Sequence, residues 1–380
     1  MMRSLASFNF MLFLALQFII YCWAAAFSTA HQPIDAAHDI AHHHVHPQTR
    51  RSRSLQEGDD DGVLAFHDGF SVIWGDVLFD HRDDDDDDDE DNHVVQLKLD
   101  QHSGSGFVSL ENYMYAYFSA SIKLPSDYTA GIVLAFYTSN TDDFPNDHDE
   151  LDFEFLGNVK GKPWRLQTNI YGNGSVARGR EERFNFWFDP TTDFHNYSIL
   201  WNHKHIVFFV DDIPIREMKQ SEELGGDYPS KPMALYATMW DGSPWATNGG
   251  KYPVNYKYAP FKTSFKNLKI NGCATNPILE DDIEIATHHT RSRTTHCLDN
   301  PTEASHLWDL TSSQKRSLQW VRTNHMYYTY CQDSNRHYST SLPECATQDT
   351  INLAKPSGNR GHRTKQRAAG KRQSFASPST

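Results

Sequence analysis

Cysteine is scarce in this chain of 380 residues, which holds only five. No two stand in the Cys-x-x-Cys spacing of small zinc sites, so no metal is expected, and no cofactor. Cys22 belongs to the first apolar run. Cys273, Cys297, Cys331 and Cys345 all fall in the last third. Four cysteines in a chain with a secretory start point to two disulfides, and three connectivities stay open. Basic residues are also in deficit, at 35 Lys and Arg against 49 Asp and Glu. No basic surface for nucleic acid follows from such a composition. Apolar runs long enough to approach a membrane span are missing after the first one, so no membrane contact is expected once that segment is removed.

The acidic surplus is local. Asp83 to Asp89 with Glu90 and Asp91, and Glu57 with Asp59 to Asp61, supply thirteen acids between them, which leaves the remainder close to neutral. The start reads as a signal peptide over 1–26: Arg3, an apolar run from Phe8 through Cys22, then Ala24 to Ala26 suited to cleavage. The rival is an uncleaved signal anchor. Residues 27–62, with His31, His38, His42 to His44 and His46, read as a disordered histidine-rich linker ending near arginines at which a protease would cut. From 346 a tail with seven Lys and Arg against Asp349 alone reads as disordered and basic.

Between 63 and 272 short apolar segments alternate with turn signals: Tyr113–Leu124 before Pro125, Gly131–Tyr137, Trp164–Tyr171, Tyr197–Trp201 and Ile206–Val210. That texture predicts an all-β sandwich of antiparallel strands. The acidic run belongs in a surface loop, because nine like charges cannot enter a packed sheet. After Gly272 the texture changes. Residues 273–345 form an extension that is helix-like over 302–330 and carries the cysteines.

The most informative stretch is His148–Asn158, where Glu150, Asp152 and Glu154 alternate with Leu151, Phe153 and Phe155. Period-two alternation makes this a strand with one apolar and one acidic face. At about 3.3 Å per residue, Glu150 and Glu154 have Cα atoms about 13 Å apart, and side chains leaning together leave about 5–6 Å. A retaining glycosidase needs about 5–5.5 Å between its carboxyls, an inverting one about 6.5–9.5 Å. The competing reading is a solvated acidic edge strand. Crowding three carboxylates is tolerable only where one keeps a proton.

Other residues fit a polysaccharide. Arg165, Gln167 and Asn169 share one face of the next strand, with ordinary cross-strand pairing as the alternative. Trp240 and Trp245 flank a Gly- and Pro-containing loop, where flat indoles either stack on sugar rings or pack inward. Two glycosylation sequons occur, at Asn173 and Asn196, the second beside a strand that can bury it.

Taken together, these residues resemble the plant xyloglucan endotransglucosylase/hydrolases of glycoside hydrolase family 16. The strand His148–Asn158 nearly repeats that family's signature. Gly104–Ser109, Phe118–Pro125, Gln167–Tyr171, Gly179–Arg183, Trp187–Pro190, Val210–Arg216, Lys231–Trp245 and Tyr256–Pro260 support it, and Trp320–Arg322, Tyr328–Cys331 and Pro343–Cys345 suggest its C-terminal extension. The resemblance covers about 63 to 345. It implies a jelly-roll β-sandwich with an open cleft and a disulfide-bonded extension. It makes Glu150 the nucleophile, Glu154 the general acid/base and Asp152 the residue that modulates both. It also implies glucan contacts at His148, Gln167, Asn169, Arg180, Trp240 and Trp245, and disulfides Cys273–Cys297 and Cys331–Cys345.

The implied reaction cuts a β-1,4-glucan backbone with retention and passes the fragment from a xyloglucan donor to another chain end or oligosaccharide acceptor. The implied setting is the cell wall and apoplast, where the basic tail could hold acidic wall polysaccharide. The short loop Gly172–Gly179 lacks the insertion of dedicated hydrolases in that family, which favours transfer over the alternative of predominant endohydrolysis. Asn158-Val159-Lys160 lacks the sequon that many relatives carry there. Two rivals stand beside this reading. A non-catalytic carbohydrate-binding sandwich would not need both Glu150 and Glu154. A metal site at His148, Asp149 and Glu150 is disfavoured because Asp149 points to the opposite face.

Overall fold

The computed structural model describes residues 63–80, 94–175, 178–275, 309–334, 342–346 and 353–357. In chain order they begin with β1 (Phe70–Trp74), β2 (Val77–Asp80), β3 (Val94–Leu99), β4 (Ser105–Ser109), β5 (Asn112–Lys123) and β6 (Ile132–Ser139). Next come β7 (Glu150–Leu156), β8 (Arg165–Tyr171), β9 (Glu182–Asn185), β10 (His195–Trp201) and β11 (His205–Val210). The last strands are β12 (Ile213–Lys219), β13 (Ala234–Asp241), β14 (Phe261–Thr275) and β15 (Met326–Thr329), with helices α1 (Ser312–Asn324) and α2 (Pro343–Ala346).

Alternation along these strands builds two antiparallel sheets. One has eight strands in the order β1-β4-β13-β6-β7-β8-β9-β15, the other seven in the order β12-β11-β10-β5-β14-β3-β2. Leu151, Phe153 and Phe155 are fully buried between them. Phe153 meets Phe208 of the opposite sheet edge-on at 5.1 Å, and Phe155 meets Tyr197 at 4.8 Å. Edge-to-face aromatic pairs of this kind add about 0.5–1.5 kcal/mol each beyond their area burial. The expected jelly-roll sandwich is the fold observed. Tight connections fit their residues. Asp211 and Asp212 adopt φ of 48° and 61° in the two-residue turn joining β11 to β12, a conformation that Asp tolerates and that matches the twist of a hairpin. Just past β7, a Cβ on Gly157 would lie 1.9 Å from the Thr129 carbonyl, so only glycine lets the chain leave the sheet there.

The C-terminal segment closes one side of the sandwich. Helix α1 starts on a capping box, Thr311 accepting from the Gln314 N–H while Gln314 accepts from the Thr311 N–H. It packs along β12. The helix-like reading of 302–330 is corrected at its end: Met326–Thr329 is a strand, paired antiparallel with β9 as the outermost member of the eight-stranded sheet. Cys331 and Cys345 form the expected disulfide. A second correction concerns the boundary at 272, which β14 crosses to reach Thr275. A third concerns the tail expected to be disordered from 346. Within it, the Ala354 N–H bonds the Met326 carbonyl, and Asn185 bonds the backbone of Lys355 and Ser357. The signal segment 1–26, the linker 27–62, the acidic run 83–91, the side chain of Cys273, Cys297 and the tail after 357 lie outside the described residues. Among the described residues no helix is long and apolar enough to cross a membrane.

Candidate active site

Strand β7 lies in the interior of the eight-stranded sheet, so its alternation sends Glu150, Asp152 and Glu154 to the face opposite the core. The strand registers define what stands beside each. Asp152 is flanked by Tyr137 on β6 and Asn169 on β8, and Glu154 by Ala135 and Gln167. Glu150 faces Ser139 and Tyr171. One strand further, Tyr137 meets Tyr236, the rings stacked at 5.1 Å and 15°.

Asp152 is the most perturbed of the three acids. It is 7% exposed. Burial, then the charges of Glu150 and Glu154, then a hydrogen bond shared with Glu150 push its pKa well above the ordinary carboxylate value, and Arg216 offsets part of this. That shift favours the protonated form of Asp152, which relieves the repulsion along the row. Tyr171, the cross-strand neighbour of Glu150, has a hydroxyl pushed up by burial and by the same three carboxylates. Asn169 is oriented through its own carbonyl, which accepts from the Ile170 N–H at 3.0 Å, so its amide donates to the Tyr171 hydroxyl. Glu154 accepts from the Gln167 amide. Gln167 in turn accepts from Arg183 Nε at 2.7 Å.

Asp149 shows the other half of the alternation. It is buried, and its carboxylate accepts from the backbone N–H groups of Asn173, Ser230 and Lys231 at 2.7–2.8 Å. It anchors two loops at the end of β7 and does not converge with His148 and Glu150, which removes the geometry the metal alternative needs.

The structure brings most of the expected contact residues to this face. Gln167 and Asn169 join it through register, and His148 lies at the Glu150 end, its ring 6.5 Å from that of Tyr171. Trp240 and Trp245 approach each other at 5.9 Å beyond the Glu154 end. Trp240 is corrected from loop to strand: it belongs to β13, paired with Val133. The Gly and Pro that suggested a loop begin only at Gly242. Two buried polar atoms on this face, His148 Nδ1 and Trp245 Nε1, have no protein hydrogen-bond partner.

Arg180 is the clear departure. Expected to touch glucan, it is fully buried, its guanidinium donating to Glu344 at 2.6 Å and to Asp227 at 2.8 Å. Glu344 sits in α2, which the disulfide ties to the chain after β15. The extension thus covers Arg180 and makes it an internal ion-pair partner. Sequence reasoning also passed over Tyr137, Tyr236 and Arg183 as single residues. Only strand register, which has no local signal, places them here. Asn173 is exposed at a left-handed turn position, φ 50°. Asn196 accepts from Ser119 Oγ at 2.7 Å within the seven-stranded sheet, beside a buried Ser198.

Comparisons with known proteins show what the chain is similar to. The family model for glycosyl hydrolases family 16 matches residues 67–258, and the model for the xyloglucan endo-transglycosylase C-terminus matches 298–345. A probable xyloglucan endotransglucosylase/hydrolase protein 28 of Arabidopsis thaliana is 50% identical over 284 residues, 74% of this chain and 79% of that protein. Xyloglucan endotransglucosylase/hydrolase protein 31 of the same plant is 41% identical, over 73% of this chain and 86% of its own length. Among solved structures, a Bacillus licheniformis beta-glucanase is 18% identical with a TM-score of 0.40, covering 57% of this chain and 94% of that one.

Proposed function

We propose that this chain, which belongs to the xyloglucan endotransglucosylase/hydrolase group of glycosyl hydrolases family 16, works through Glu150, Asp152 and Glu154 by double displacement with retention. Glu150 attacks the anomeric carbon of a β-1,4-linked glucose while Glu154 gives its proton to the departing chain end. The products of that step are a glycosyl ester on Glu150 and a free 4-hydroxyl on the leaving glucan. Glu154, now a carboxylate, takes the proton of an incoming acceptor hydroxyl as that oxygen displaces Glu150, which restores both acids. Asp152, protonated between them, donates to Glu150 and steadies the nucleophile's charge.

One observation carries this reading: three acids in alternating register on an interior strand, the middle one buried with its pKa pushed up by burial and by the other two, and Glu154 held by Gln167. A binding sandwich gains nothing from that arrangement and bears its repulsion. His148, Gln167, Asn169, Trp240 and Trp245 are the residues we assign to glucan, the unpartnered Nδ1 and Nε1 supplying polar contacts for sugar hydroxyls. We favour transfer between xyloglucan chains over hydrolysis. We also keep secretion to the cell wall and apoplast, glycan at Asn173 and, as a weaker site, at Asn196, and retention of the basic tail on acidic wall polysaccharide as parts of the proposal.

The test incubates the protein with xyloglucan, with and without a labelled oligosaccharide acceptor, and follows chain-length redistribution and new reducing ends. Label entering long chains without matching reducing ends is the expected result. Reducing ends alone would make the chain a hydrolase, and neither product would overturn the assignment.

A further inference from the structure

Arg183 stands on β9 on the same face as the three acids, opposite Gln167 in the register of β8 with β9. Its Nε donates to Gln167 Oε1 at 2.7 Å. An amide whose oxygen is held by a cation presents its NH2 in one orientation, and here that group donates to Glu154 Oε2. Arg183 is itself held by the C-terminal segment, its guanidinium 4.7 Å from the ring centre of Tyr328 on β15. An ion pair with Glu181 at 3.2 Å fixes its other end.

We infer that Arg183 is a positioning residue for Glu154: through Gln167 it locks the Glu154 rotamer and favours its ionised form, with Tyr328 of the C-terminal segment setting Arg183 in place. This rests on the reading of Glu154 as acid/base. The other titratable groups on this face are Tyr137 from β6, Glu150 and Asp152 from β7, Tyr171 from β8, and Arg183 from β9 with its ion-pair partner Glu181 just before that strand. Among these only Arg183 is a cation, and it reaches Glu154 through an amide and not by direct contact. A polarised amide donates more strongly, and donation to a carboxylate favours its charged form.

The sign follows. Glu154 must carry a proton in the first displacement, so activity in kcat/KM falls as pH rises past its titration. Removing Arg183 weakens the ionised form and moves that basic limb to higher pH. Arg183→Met in the full-length protein is expected to move the limb of donor cleavage up by about half to one pH unit, a shift kept modest because the guanidinium is partly solvated. Tyr328→Ala is expected to move it the same way by less, and Arg183→Lys, which keeps the charge and loses the Nε–H, to restore only part. A basic limb that stays in place in Arg183→Met, with only KM raised, would make Arg183 a glucan contact and overturn the inference.

A separate arm tests the underlying reading. Glu154→Ala supplied with azide and an activated aryl glycoside should regain activity and yield a β-glycosyl azide, because azide needs no base. Rescue together with an unmoved Arg183→Met profile rejects the positioning role alone. Absence of rescue rejects the acid/base role of Glu154 and the inference that stands on it.

Discussion

On one face of the eight-stranded sheet Glu150, Asp152 and Glu154 stand in a row of like charge; on the other face, two strands away, Glu182 sits between two arginines. Glu182 is 1% exposed. It accepts from Arg322 Nη1 at 3.2 Å through both oxygens and from Thr329 Oγ1 at 3.3 Å, with Arg216 Nε 3.8 Å away. Arg216 also donates to Thr168 Oγ1 at 3.0 Å. The inner cluster is compensated and joins three separate parts of the chain: β9, β12 and the C-terminal segment. The outer row has no such paired cation: its repulsion pushes the Asp152 pKa up, with Arg216 offsetting part of the shift. Buried charge that is paired holds structure, whereas crowded charge of one sign costs stability, which fits the catalytic role proposed for the row.

Breaking each cluster at its key residue gives the largest effects. Glu150→Ala removes the atom that would form the glycosyl ester, and both transfer and hydrolysis should fall by about 10⁴-fold or more while the thermal transition stays near that of the parent. A folded Glu150→Ala protein with near-normal activity would sink the nucleophile assignment. On the inner side, Glu182→Gln leaves Arg216 and Arg322 buried without their counter-charge. That should destabilise the fold by about 3–5 kcal/mol, read from denaturant unfolding. Arg322→Met removes one of the two charges and should cost less. If Glu182→Gln unfolds like the parent, the cluster is not what fastens the extension.

Asp152→Asn sharpens the comparison, because it should move activity and stability in opposite directions. The folded pKa of Asp152 lies above the ordinary 3.8, so between the two values the native state binds a proton that the unfolded chain has released. Unfolding free energy contributed by this group therefore falls as pH rises from about 4 upward, and below that window the penalty vanishes. Asparagine has no proton to retain. The variant should be more heat-stable than the parent at neutral pH, with the gap closing toward pH 4, while its rate drops by about 10- to 100-fold and its pH profile changes shape. Equal melting temperatures across pH would show that Asp152 is not strained in the fold.

The two faces also differ in how far the chain discloses them. The outer row was legible because period-two alternation needs only neighbours: seven residues fix the strand, the face and the three acids. The inner cluster was not, since Glu182 and Arg322 are 140 residues apart and nothing near either announces the other. Arg180 failed for the same reason. Its partner Glu344 lies 164 residues on, so nothing near Arg180 spoke against the glucan contact that the resemblance implied. Strand β15 was hidden by its four-residue length and by the helix before it. Its pairing with β9 supplies what local propensity could not. Trp240 was assigned to a loop on the strength of Gly242 and Pro244, which terminate the strand that holds it.

The smallest expected effect concerns the polar atoms that remain unmatched. Glu182 in the inner cluster is met by donors, whereas the outer face keeps His148 Nδ1 and Trp245 Nε1 buried without protein partners, one toward each end of β7. Burying a donor unpaired costs free energy, so a sugar hydroxyl that reached either atom would recover it. Water is present at about 55 M, so transfer competes only where a bound sugar chain raises its own hydroxyl to a higher effective concentration. If Trp245 binds the acceptor, Trp245→Ala should lower transfer by about 2- to 10-fold, the worth of one aromatic contact, and leave hydrolysis nearly unchanged. The measurement is label incorporation and reducing-end release in the same reaction. A proportional loss of both places Trp245 on the donor side, and no loss of either means that its indole is packing for Trp240 and the unpartnered N–H has no sugar to meet.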